Sequence, residues 1–194
     1  MKHAAIVLLL LVGCRAPEPK PAQSSSAGAP AKQTIPPPSA ADAQRIVAAS
    51  AEFSDYEFTN ASVTLPMKAP LPPYLAGEAK QLAAAGWLNV GAGLSPPHIA
   101  LAPKAKGDKR FLVRPNGYVD IVPLASKELT GVTSVTPNSD GTVSADMTWK
   151  WIPNEVGGAF THGPLHDRYA APQKATARLM WDGRAWTVLR ITPR

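Results

Sequence analysis

The chain has a single cysteine, Cys14. An intramolecular disulfide is therefore excluded, and the fold must hold without covalent staples. A C-x-x-C pair is absent, as are a Walker loop and a G-x-S-x-G nucleophile elbow. Gly91-Ala92-Gly93 is a G-x-G without the rest of a dinucleotide fingerprint. Pro96-Pro97 follows where the required helix would have to begin. There is no internal repeat. The apolar run Ala4 to Val12 falls short of the ~20 residues that span a bilayer. What is missing thus argues against a thiol-redox, P-loop, nucleotide-binding or serine-hydrolase assignment, and no cofactor is expected.

What is present begins at the amino end. Lys2 and His3 make a short basic head, Ala4 to Val12 an apolar core, and Gly13 and Cys14 follow. A basic head, a short apolar core and small residues at the exit describe an export signal. Leu11-Val12-Gly13-Cys14 resembles the lipobox of bacterial lipoproteins. The resemblance covers only this leader. It implies a signal peptide over residues 1–13, cleavage before Cys14, a diacylglycerol thioether on Cys14 and acylation of the new amino group. One acyl chain binds a membrane marginally; two or more, at ~0.8 kcal/mol per buried CH₂, hold it stably. Residue 15 is arginine, not the aspartate that often accompanies inner-membrane retention. The implied address is the cell envelope, at the outer membrane facing the periplasm.

Residues 14–40 read as a lipidated cysteine and a disordered tether. Pro17, Pro19, Pro21, Pro30, Pro36, Pro37 and Pro38 crowd this stretch among Ala, Ser, Gln, Lys and Gly. Such a composition cannot bury enough apolar area to offset ordering. Its prolines favour an extended chain of ~3.1 Å per residue, a reach of up to roughly 80 Å.

Residues 41–194 suffice for one domain with its own core. The formal charge of the whole chain is +6, and the leader removes only Lys2 from it. Ser39 and Asp42 form a capping box ahead of a helix that puts Ile46, Val47, Ser50 and Phe53 on one side. The span from Asp55 to Leu65 reads as extended, with Val63 and Leu65 pointing one way and Ser62 and Thr64 the other. A second helix opens at Pro72-Pro73, carries Leu75, Ala79 and Leu82 at helical spacing, and is capped by Gly86. Trp87 and Leu88 then return to the core.

From Ile99 onward the chain reads as β. Hairpins turn at Pro115-Asn116-Gly117, Asn138-Ser139-Asp140-Gly141 and Asp182-Gly183. The clearest strand is Thr142 to Ile152, with Val143, Ala145, Met147, Trp149 and Trp151 on one face. Successive hairpins predict an antiparallel sheet covered on one face by the N-terminal helices, an α+β fold. Helix, Ala-Gly, large apolar pair and hairpin resembles winged-helix domains. The helix-covered sheet of hairpins equally resembles cystatin-like or nuclear-transport-factor-like architecture.

Three groups of residues could carry chemistry. His162, His166 and Asp167 are candidate metal ligands or acid–base groups, although Gly163-Pro164 between the histidines argues against one regular helix bearing both. Trp149, Trp151 and Phe160 form either core or the aromatic wall of a ligand or partner surface. Lys104, Lys106, Lys109 and Arg110 are either a solvated loop or a contact for an anionic envelope polymer. Nucleic acid is not an expected partner of an exported chain. The sequence therefore points to an envelope lipoprotein with a non-catalytic binding or interaction domain. The alternatives are a metal-dependent hydrolase using His162, His166 and Asp167, and a structural factor docking an envelope protein through residues 149–160.

Overall fold

The computed structural model describes residues 35–91 and 98–194. The lipobox, most of the tether and residues 92–97 lie outside this range. Residues 36–194 form one compact unit.

The elements in chain order are α1 (Ala40–Ala48), α2 (Ala51–Asp55), β1 (Val63–Pro66), α3 (Pro73–Ala84), β2 (Leu88–Val90), β3 (Ile99–Leu101), β4 (Phe111–Val113), β5 (Tyr118–Ile121), β6 (Ala125–Pro137), β7 (Val143–Pro153), α4 (Pro164–Ala170), β8 (Gln173–Trp181) and β9 (Trp186–Pro193). Strands pair antiparallel in three sheets, ordered β1-β5-β4, β2-β3 and β6-β7-β8-β9. The class is α+β.

The first helix starts where the capping residues place it. Ser39 Oγ accepts from the Asp42 amide at 3.1 Å and its hydroxyl donates to the Asp42 carboxylate at 2.6 Å. The helical stretch does not run unbroken to Phe53. Ser50 has extended backbone and caps a new helix, accepting from the Phe53 amide at 3.1 Å while donating to Val47 O at 2.9 Å. A serine competing for backbone partners breaks a helix in this way. The extended reading of residues 55–65 is likewise corrected. Phe58–Ala61 is a 3-10 turn, and only Val63–Pro66 is strand. Within that strand Val63 and Leu65 are buried and Thr64 is exposed, the alternation the sequence shows.

The four-stranded sheet is built around β7. Val143, Ala145, Met147, Trp149 and Trp151 are all buried on its inner face, joined by Ala175, Ala177 and Leu179 of β8. Helix α1 packs against both β6 and β9, the two edges of this sheet. One helix can touch both edges only if the sheet curls around it. Register shifts between Leu129 and Gly131, between Val132 and Ser134, and between Arg178 and Leu179 supply local bends. Helix α2 adds to the cover over β9, and α4 packs on β7.

Helix α3 packs mainly on β2. It ends at Gly86, whose φ of 77° is the left-handed cap that sends Trp87 and Leu88 into the core. All three anticipated hairpin turns form, with Gly117, Gly141 and Gly183 at positive φ.

The small sheet and the large one are tied at Leu124. Its amide donates to Ala61 O at 2.7 Å, and its carbonyl accepts from the Asn154 amide at 2.9 Å. Asn154 Oδ1 in turn accepts from the amides of Val156 and Gly157 at 2.9 and 3.0 Å. This draws Gly157 against the Leu124 backbone so closely that an added Cβ would sit 2.0 Å from Leu124 O. Gly158 beside it faces open space. Gly157→Ala is therefore expected to destabilise the fold by roughly 2 kcal/mol or more, and Gly158→Ala by less than about 1 kcal/mol. Urea denaturation of the two variants measures the difference.

Candidate functional site

The break between α1 and α2 opens a cleft. Phe53 packs toward the sheet, Phe58 borders the opening, and Pro123, Ala125, Lys127 and Trp151 complete the lining together with Ser54 and Ser126. The cavity is about 290 Å³. Phe58 stands exposed at the rim, whereas Phe53 and Trp151 are buried.

The floor of the cleft belongs to a run of aromatic contacts. Phe53 meets Trp149 edge-on with centroids 6.3 Å apart, and Tyr56 meets the same ring at 5.8 Å. Trp149 and Trp151 are T-shaped at 5.1 Å, and Trp151 reaches Tyr169 at 5.8 Å. Edge-to-face geometry of this kind adds to the gain from burial. Trp149 and Trp151 come from alternate residues of β7. Tyr169 comes from α4, fixed by donation of its hydroxyl to Asn60 O at 3.1 Å.

Lys127 is the one charged side chain in the lining. It lies opposite Trp151 across the β6–β7 ladder, in the inward phase of β6 with Ala125 and Leu129. Its Nζ lies 5.3 Å from the Phe53 ring centroid and 5.9 Å from those of Tyr56 and Trp151. It donates to the Tyr56 carbonyl. No carboxylate lies within ion-pair distance of it among the described residues. Burial pulls its pKa down to about 8, partly countered by the charges of Asp55 and Glu57. Glu57 itself holds a left-handed backbone with φ 57°, and its carboxylate accepts from Asn60 Nδ2.

The residues singled out in the sequence fall in different places. Trp149, Trp151 and Phe160 are core side chains, and only Trp151 also lines the cleft. As a partner surface they present no exposed ring. His166 lies on α4, with Nδ1 3.2 Å from the Asp167 carboxylate. His162 lies outside that helix, before Gly163, with Nδ1 3.2 Å from Thr161 Oγ1. Its backbone is held by Gln81 of α3, whose Oε1 accepts from the amides of Thr161 and His162 at 2.8 and 3.2 Å. Among the described residues no group of three or more His, Cys, Asp or Glu is placed to hold a metal ion.

The basic stretch lies in the link between β3 and β4. Lys104 pairs with Glu155 at 3.0 Å and lies 3.9 Å from the Trp87 ring centroid. Arg110 grips Asp108 through two nitrogens and also lies over Trp87. The Arg110 bonds hold the Asp108 carboxyl down at about 2. These two cations serve the fold. Lys106 and Lys109 remain exposed and make no ion pair among the described residues.

No family model, curated protein or solved structure matches this chain. The site is therefore read from its own geometry.

The features that sequence reasoning missed are Lys127, Phe53 as a cleft wall, and Gln81 as a staple. Only Lys127 left a signal, a lysine in the apolar phase of Ala125, Lys127 and Leu129. Its lowered pKa has a direct consequence. Between pH 8 and 10 the folded protein has shed a proton that the unfolded chain still binds, so stability rises with pH across this window. The half-buried phenol of Tyr56 and the buried one of Tyr169 have raised pKa values and act with opposite sign only above about pH 10. The unfolding free energy from urea denaturation should be higher at pH 9.5 than at pH 7.5, by on the order of 1 kcal/mol once the shift of this partly exposed amine is discounted for solvent screening. The rise should flatten in Lys127→Met.

Proposed function

We propose that the chain is a bacterial envelope lipoprotein whose α+β domain is a non-catalytic binding module held on a tether. The observation that carries this reading is Leu11-Val12-Gly13-Cys14, placed after a basic head and an apolar core. Cys14 carries the lipid, the proline-rich sequence after it serves as the tether, and the domain works in the periplasm at the outer membrane. No helix among the described residues is long and apolar enough to cross a membrane.

The binding role is supported by the cleft. It combines apolar walls with two serines and a single charged anchor, the usual composition of a small-ligand pocket. Nucleophilic catalysis needs a nucleophile and a base within hydrogen-bond reach. Ser54 and Ser126 line the cleft, yet neither makes a hydrogen bond to Lys127, which donates to the Tyr56 carbonyl instead.

Mass spectrometry of the protein from a bacterial envelope should find an amino-terminal, acylated Cys14 and no residue before it. Cys14→Ser should move the protein from the membrane fraction to the soluble or unprocessed pool. An unmodified thiol at position 14 would overturn the reading.

A further inference from the structure

We infer that the cleft under the α1–α2 break binds a small monocarboxylate with an apolar body, its head on Lys127 and its body against Phe53, Phe58 and Trp151. The inference rests on the binding-module reading and supplies its ligand class. Three features of the cleft lead to it.

The first is unused donor capacity. An ammonium has three N–H donors, and Lys127 commits one to the Tyr56 carbonyl. No carboxylate of the protein pairs with it among the described residues, and the surrounding rings supply only cation–π attraction. Water in the open cleft can meet the remaining donors until an anion displaces it.

The second is the balance of charge around it. Asp55 closes α2 and Glu57 follows it, and both act electrostatically on Lys127. The single cation in the lining can pair with one negative charge, and Asp55 and Glu57 weigh against any further charge on the ligand. A dianionic head such as a phosphate monoester would meet repulsion from Asp55 and Glu57 without a second cation to offset it.

The third is size and shape. A cavity of about 290 Å³ lies at the small end of ligand pockets. It accommodates one aromatic ring or a short acyl chain rather than a whole lipid. Phe58 at the rim and Trp151 on the floor offer flat apolar faces to such a body.

Calorimetric titration of the full-length protein with 4-phenylbutyrate at pH 7 tests this, with 4-phenylbutanol as the neutral twin. The carboxylate should bind about tenfold more tightly than the alcohol, the scale of a charge-assisted hydrogen bond. Its affinity should fall as pH rises from 7 to 9.5 and Lys127 loses its proton. Lys127→Met should remove the preference for the acid, bringing its affinity down to that of the alcohol. Phe58→Ala, a substitution at an exposed rim position, should weaken both ligands. Equal binding of acid and alcohol, an acid affinity unchanged in Lys127→Met, or no binding of either at millimolar concentration would overturn the inference. None of these outcomes bears on the lipid at Cys14, which mass spectrometry reads separately.

Discussion

The inner face of β7 is the constraint from which the rest of the domain follows. Its alternate residues from Val143 to Trp151 must all leave water together, because a strand cannot bury one without the next but one. Burying two neighbouring tryptophans needs more cover than a single straight helix provides. The chain supplies Phe53 and Tyr56 after the break at Ser50, Tyr169 from α4, and a sheet curled until α1 meets both of its edges. Loss of either tryptophan side chain from such a cluster would cost roughly 3–5 kcal/mol, a large share of the stability of a domain this size.

The opposite face of the sheet shows the complementary solution. Asp146 accepts from Ser134 and Thr176, both at 2.8 Å, and pairs with Arg194 at 2.7 Å. Its pKa is lowered, most strongly by the Ser134 and Thr176 hydrogen bonds. Asp140 binds Thr142 and Arg178 at the β6–β7 turn in the same manner. These bonds join β6, β7, β8 and the chain's end across one surface. They fix strand register where the outward side chains bury too little to do so. The two faces thus hold the same strands by different physics, packing inside and hydrogen bonding outside.

How much of this could be read from the residues depends on the range of the interaction. The alternation of β7, the glycine turns at Gly117, Gly141 and Gly183, and the Gly86 cap are local. Each is written within a few residues and each appears in the structure. The break at Ser50 was also local, but serine fits a helix face and a cap alike, so the pattern alone did not decide between them. The short helix α4 hid behind Gly163-Pro164, where proline at the first turn starts a helix as readily as it ends one. What the pattern did not contain were the pairings between distant segments. Gln81 with Thr161, Lys104 with Glu155, and Lys127 with Tyr56 each join residues far apart in the chain. The basic stretch illustrates the cost of this: four cations in sequence become two structural and two exposed once Asp108, Glu155 and Trp87 take their places.

The position of Lys127 needs more than edge protection to account for it. An inward-pointing charge on an edge strand discourages pairing with another chain, and β6 is an edge strand. That role asks only that the charge resist burial, and a lysine reaching past the sheet rim into water would meet it at less cost. Here the amine instead turns beneath the helix break, takes the Tyr56 carbonyl, and lies near three aromatic rings. The same break that brings Phe53 onto Trp149 also creates the space beside the amine. Packing of the core and formation of the cleft are therefore one event. A residue filling that space would bury Phe58 and Trp151 further, but it would also strand the cation. The open cleft is what keeps Lys127 both charged and accessible.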